Sequence, residues 1–94
     1  MTITQADNDG RPVRALLPAI NVEGMRDPVF QVVDETTGEL VSAFRIKGTS
    51  HQAGVFRPGR YTVRVGEPGT SRMRTLEHLD AVPGQTGSVT VRLG

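Results

Sequence analysis

Cysteine is absent from the 94 residues, which excludes disulfides, zinc–thiolate centres and thiol nucleophiles and leaves the cellular compartment open. Histidine occurs only as His51 and His78, a pair whose spacing matches no metal-ligand motif and which makes no proton relay unless the fold brings carboxylates to it. No apolar run reaches the ~20 residues of a membrane-spanning helix. The opening MTITQADNDG has neither the basic nor the apolar region of a signal peptide. Charge of one sign is also missing. Eleven Lys and Arg stand against ten Asp and Glu, for a net charge of +1, far from the basic balance of a nucleic-acid binder. One tyrosine and three phenylalanines are too few for an aromatic platform under single-stranded nucleic acid or sugar rings; Phe56 is the one that the pattern does not direct to the core.

What the chain does have is punctuation. Gly and Pro recur from Gly10 to Gly87, including Pro58-Gly59, Pro68-Gly69 and Pro83-Gly84, and no long helix fits between them. The intervening segments carry Val, Ile, Thr, Phe and Tyr, which suit a pleated, half-buried surface. Turn signals at about ten-residue spacing predict an all-β domain: a single antiparallel β-sandwich of about seven strands, immunoglobulin-like or transthyretin-like. The polar residues 1–12 read as a loose N-terminal arm and residues 13–94 as the sandwich.

Alternation assigns the faces. Tyr61, Val63 and Val65 point inward while Thr62 and Arg64 face water, and Val89, Val91 and Leu93 repeat the pattern. Over residues 40–47, Leu40, Ser42, Phe44 and Ile46 share one face, and Val41, Ala43, Arg45 and Lys47 the other. Residues 29–33 are apolar on both faces except at Gln31, which predicts a central strand or one covered by the N-terminal segment. Residues 34–39 connect the two as a hairpin, with Gly38 suited to positive φ. Residues 15–22 read as a strand broken or started at Pro18, at an edge. Residues 72–79 are ambiguous, because Met73, Leu76 and Leu79 recur every three residues; strand is preferred over two helical turns because turns bracket the segment.

Reactive constellations are not evident. The carboxylates fall mostly in predicted turns. Asp7-Asn8-Asp9-Gly10 opens like a calcium loop but lacks the later bidentate Glu. There is no Gly-x-Ser-x-Gly elbow, no Ser/His/Asp set and no phosphate loop, since Gly66-Glu67-Pro68-Gly69-Thr70 contains a proline and precedes no helix. The expectation is a chain with no active site of its own and no cofactor, with His51 in a loop and His78 exposed. Arg45, Lys47, Arg57, Arg60, Arg64, Arg72, Arg74 and Arg92 fall largely at outward positions. Of these, Arg45, Lys47, Arg64 and Arg92 are the candidate interaction surface, for a polyanion or an acidic partner domain; the alternative is that outward charge only discourages edge pairing.

Pro58-Gly59-Arg60-Tyr61-Thr62-Val63-Arg64-Val65, followed by Val82-Pro83-Gly84-Gln85-Thr86 and a Val-x-Val strand, resembles carboxypeptidase-regulatory-like and immunoglobulin-like modules, in which the glycine makes a turn and the tyrosine packs at the sandwich corner. A likeness covering most of the chain runs through Leu17-Pro18-Ala19-Ile20-Asn21-Val22-Glu23-Gly24, Asp27-Pro28-Val29-Phe30-Gln31-Val32-Val33-Asp34-Glu35 and Arg45-Ile46-Lys47-Gly48-Thr49-Ser50. It is similar to the C-terminal β module of bacterial alkaline-phosphatase-D-like metallophosphoesterases. His51 stands where that pattern carries an aromatic. The resemblance implies an accessory role beside an upstream catalytic domain of the same parent chain, which holds the metal ligands and nucleophile, so no catalytic residue carries over. It also implies that Met1 is internal to a longer protein and that the location is secreted or periplasmic. An independent adhesion or carbohydrate-binding module is the competing expectation.

Overall fold

The computed structural model describes residues 12–93. The calcium-like run Asp7–Gly10 and nearly all of the expected arm therefore lie outside the described residues. The described chain is all-β. Six longer strands, β2 (Ala19–Glu23), β3 (Val29–Asp34), β4 (Leu40–Arg45), β7 (Gly59–Gly66), β8 (Met73–Ala81) and β9 (Ser88–Arg92), are joined by three two-residue strands, β1 (Ala15–Leu16), β5 (Ser50–His51) and β6 (Gly54–Val55). They form a four-stranded sheet β4-β3-β7-β8, a three-stranded sheet β5-β2-β9 and the pair β1-β6.

The sheets close over one core. Tyr61, Val63 and Val65 of β7 meet Phe30 and Val32 of β3, Ile20 and Val22 of β2 and Val91 of β9, all buried. Each fully buried side chain of this size is worth roughly 1.5–3 kcal/mol relative to exposure, which is how short strands hold a thin domain together. β3 is central, between β4 and β7, as the composition of residues 29–33 predicts; Phe30 and Val32 are fully buried on its inner face, and Val29 and Val33 are half-buried on the other. The hairpin after it forms as expected: Gly38 has φ +74° and its N–H donates to the Asp34 carbonyl (2.7 Å). Residues 72–79 are strand.

Four expectations need correction. Pairing is not antiparallel throughout, because β2 runs parallel to β9 from Ala19↔Ser88 to Glu23↔Arg92. A parallel pair needs a long connection, and here that connection is nearly the whole domain. In β4, Val41 and Ser42 are both buried and Leu40 is 44% exposed; the register slips between Val32↔Ser42 and Val33↔Leu40, a bulge that puts two residues opposite one and reverses the alternation beyond it. Pro18 is at no sheet edge. It lies between β1 and β2, where the chain leaves the two-stranded pair to become the middle strand of the three-stranded sheet. His51 is in β5 rather than in a loop, with its ring 5.0 Å from Phe44 and 5.6 Å from Phe30. It packs as an aromatic.

Candidate functional site

Strand alternation and register define the outward face of the four-stranded sheet in three rows. Leu40, Val33 and Thr62 stand across β4, β3 and β7; Ala43, Gln31, Arg64 and Thr75 cross all four strands; Arg45, Val29, Gly66 and Met73 form the third. Val29, Gln31 and Val33 are half-buried on this face, with no second layer over them among the described residues. Arg64 sits between Gln31 and Thr75, exposed, with no hydrogen bond or ion pair among the described residues. The face thus mixes apolar Val29, Val33, Leu40, Ala43 and Met73 with polar Gln31, Thr62 and Thr75 around Arg64, and Arg45 stands at its margin.

Both ends of that face are held by polar clusters. At one end the Arg45 guanidinium donates to both oxygens of Glu67 (3.0 and 3.1 Å) and to the Asp27 carbonyl (2.8 Å). Its hydrogen bonds hold the Glu67 carboxyl below the usual carboxylate range. At the other end Glu35 accepts from the Thr62 hydroxyl (2.7 Å) and the His78 N–H (2.7 Å), with His78 Nδ1 at 2.9 Å. The Thr62 bond first, then those of His78, pull the Glu35 carboxyl down to about 2. His78 occupies the left-handed region at φ +60°, a conformation with a cost for any residue but glycine. It is the second of two residues facing Thr62 where β8 slips against β7, since Tyr61 pairs with Leu79 and Val63 with Leu76. The bulge aims the His78 N–H at Glu35.

Of the four residues expected to form an interaction surface, Arg45 and Arg64 share the outward face of the four-stranded sheet, and Lys47 and Arg92 do not join them. Arg45 is tied to Glu67; Lys47 is exposed just beyond β4; Arg64 lies mid-sheet; Arg92 is on the other sheet, paired across the parallel ladder with Glu23 (3.2 Å). Arg57 and Arg60 reach Asp34 and Asp80 at 3.7 Å. Arg72 and Arg74 donate to backbone carbonyls of residues 24, 92 and 93. Phe56 lies beneath the Arg14 guanidinium, 5.3 Å from ring centroid to carbon. The outward face of the three-stranded sheet is polar and self-satisfied, with Ser50 Oγ donating to Asn21 Oδ1 (2.8 Å) beside Thr90 and Ser88.

Sequence reasoning missed the Glu35–Thr62–His78 cluster, placing Glu35 in the hairpin connection among carboxylates that bond local backbone or are solvated. A signal was there: in a strand, residues three apart face opposite sides, so two inward leucines at 76 and 79 require an inserted residue between them. Among the described residues no group of three or more His, Asp or Glu is placed to hold a metal ion. No known protein family, curated protein or solved structure matches the chain.

Proposed function

We propose that this chain is a non-catalytic accessory module, an immunoglobulin-like β-sandwich that docks on a neighbouring domain through the outward face of its four-stranded sheet. The observation that carries the reading is the grouping of Val29, Val33, Leu40, Ala43 and Met73 around Arg64, a cation with no carboxylate beside it among the described residues. A partly apolar face with one unpaired charge at its centre, rimmed by pinned polar clusters, has the composition of an interface core and rim. The fold type is supported by the buried Tyr61, whose hydroxyl donates to the Arg57 carbonyl four residues upstream (2.5 Å). That is the bond of a tyrosine corner in immunoglobulin-like domains.

Following the resemblance of the sequence, the neighbour is the catalytic domain of a secreted phosphoesterase within the same parent chain. The test is to express that catalytic domain with and without this segment and to measure thermal stability and localisation. Loss of either on deletion is expected. A catalytic domain that melts and localises identically without the segment would remove the reading.

A further inference from the structure

A different part of the molecule gathers two arginines beside a cleft. β8 begins beside the end of β9, and Arg72 and Arg74, two residues apart, project from the same side of the chain toward that end. Arg72 Nε donates to the Leu93 carbonyl (3.2 Å) and one of its terminal nitrogens to the Gly24 carbonyl. Arg74 Nε donates to the Arg92 carbonyl (3.0 Å). These bonds fix both guanidinium planes while leaving further N–H groups on each, because a guanidinium carries five. Between them opens a cleft of about 160 Å³ lined by Ser71, Arg72, Met73, Arg74 and Leu93. Arg45, Arg57, Arg60 and Arg92 each have a carboxylate within ion-pair distance, whereas neither Arg72 nor Arg74 has one among the described residues. Arg64 shares that lack, but it stands alone in mid-sheet, while Arg72 and Arg74 line one cleft together.

We propose that this cleft binds a doubly charged oxyanion, a phosphate group held between the Arg72 and Arg74 guanidiniums. Two fixed cations match a dianion in charge, and their planar N–H forks match its oxygens in geometry. Carbonyl acceptors anchor the arginines without cancelling their charge, so the donors are oriented before the ligand arrives and little ordering is needed on binding. The Ser71 hydroxyl adds a neutral donor at the rim. The site is independent of docking at the outward sheet face.

The experiment is an NMR titration of the arginine Nε–H and backbone amide signals of the purified chain with sodium phosphate at pH 7.5, against sodium chloride at matched ionic strength. Phenyl phosphate, sodium sulfate and sodium acetate serve as parallel titrants. Saturable shifts confined to Arg72, Arg74 and Ser71 are expected with phosphate and sulfate and not with acetate. Saturation by either phosphate or phenyl phosphate supports the site and tells whether a free or an esterified group fits better. Arg74→Gln should weaken binding about tenfold, the loss of one charge-assisted contact, while Arg60→Gln, at the far end of β7, leaves it unchanged. Shifts that never saturate, that chloride reproduces, or that fall equally in Arg60→Gln and Arg74→Gln would overturn the proposal. Because the wild-type titration stands alone, a poorly folded variant does not remove the test.

Discussion

The two outward sheet faces of this domain are finished differently. On the three-stranded sheet, the polar side chains bond across the ladder in mid-face, Ser50 with Asn21 and Glu23 with Arg92. On the four-stranded sheet the pairing stops at the margins, with Arg45–Glu67 at one end and Glu35–Thr62–His78 at the other, and Arg64 in the middle has no ion pair among the described residues. A face with its own charges neutralised has nothing left to offer a specific partner beyond shape. The face that leaves a central cation and apolar residues open is the one where burial against another surface gains most.

The largest effects should come from the body of the four-stranded sheet. Gly66 has φ +142°, and a Cβ there would stand 2.0 Å from the Arg72 carbonyl oxygen, whereas one at Gly38 would meet nothing within 4 Å. Gly66→Ala should therefore lose roughly 4 kcal/mol or more, since backbone must move. Gly38→Ala should cost only the left-handed penalty, about 1–2 kcal/mol. Urea denaturation of both variants makes the comparison, and equal losses would mean that the β7–β8 approach is looser than described. Next comes Tyr61→Phe, which keeps the buried ring and removes the bond to the Arg57 carbonyl. A drop of about 1 kcal/mol is expected, and none at all would detach that hydroxyl from the stability of the loop before β7.

The two sides also differ in how acid undoes them. His51, half-buried with its ring edge-on to Phe30, has its pKa lowered from 6.5 by burial, so the unfolded chain takes up the proton first, and stability present above about pH 6.5 is lost as pH falls below it. Glu35 is lowered from 4.5 to about 2; its contribution is complete above pH 4.5 and is lost between there and pH 2. Denaturation midpoints followed across pH should thus fall in two separate windows. His51→Phe should flatten the upper window and Glu35→Gln the lower. A single slope unaffected by either variant would contradict both assignments.

How much of this was legible in the sequence depends on how far alternation runs without interruption. β7 and β9 alternate cleanly, and their inward residues were readable because each strand has one core face and no inserted residue. At β4 and β8 a bulge breaks the period: Leu40 was read inward and Val41 outward, and Leu76 and Leu79 mimicked a helix. Two-residue strands such as β5 are shorter than any period, so the position of His51 against the stacked rings of Phe30 and Phe44 was invisible. The arginines show the deeper limit. Alternation marks Arg64 and Arg92 as outward, yet which sheet each faces from depends on the parallel β2–β9 pairing between opposite ends of the chain. The same holds for Glu35 and His78, 43 residues apart, which the β3–β7 and β7–β8 registers bring together.

The smallest effect on stability should accompany the largest on association. Arg64 is exposed and touches no described partner, so Arg64→Glu should change folding stability by no more than about 0.5 kcal/mol. Thr90→Glu, exposed on the opposite sheet, serves as its match, being equally peripheral to the core and adding the same acidic side chain. If the four-stranded face is the docking surface, Arg64→Glu replaces the central cation with an anion facing the partner's complementary charge and weakens association by about tenfold or more, while Thr90→Glu leaves it intact. Association measured by calorimetry between this module and the separated catalytic domain distinguishes the two. Should Thr90→Glu prove the more damaging, the self-satisfied face would be the interface and the contrast between the two sheets would have to be read the other way round.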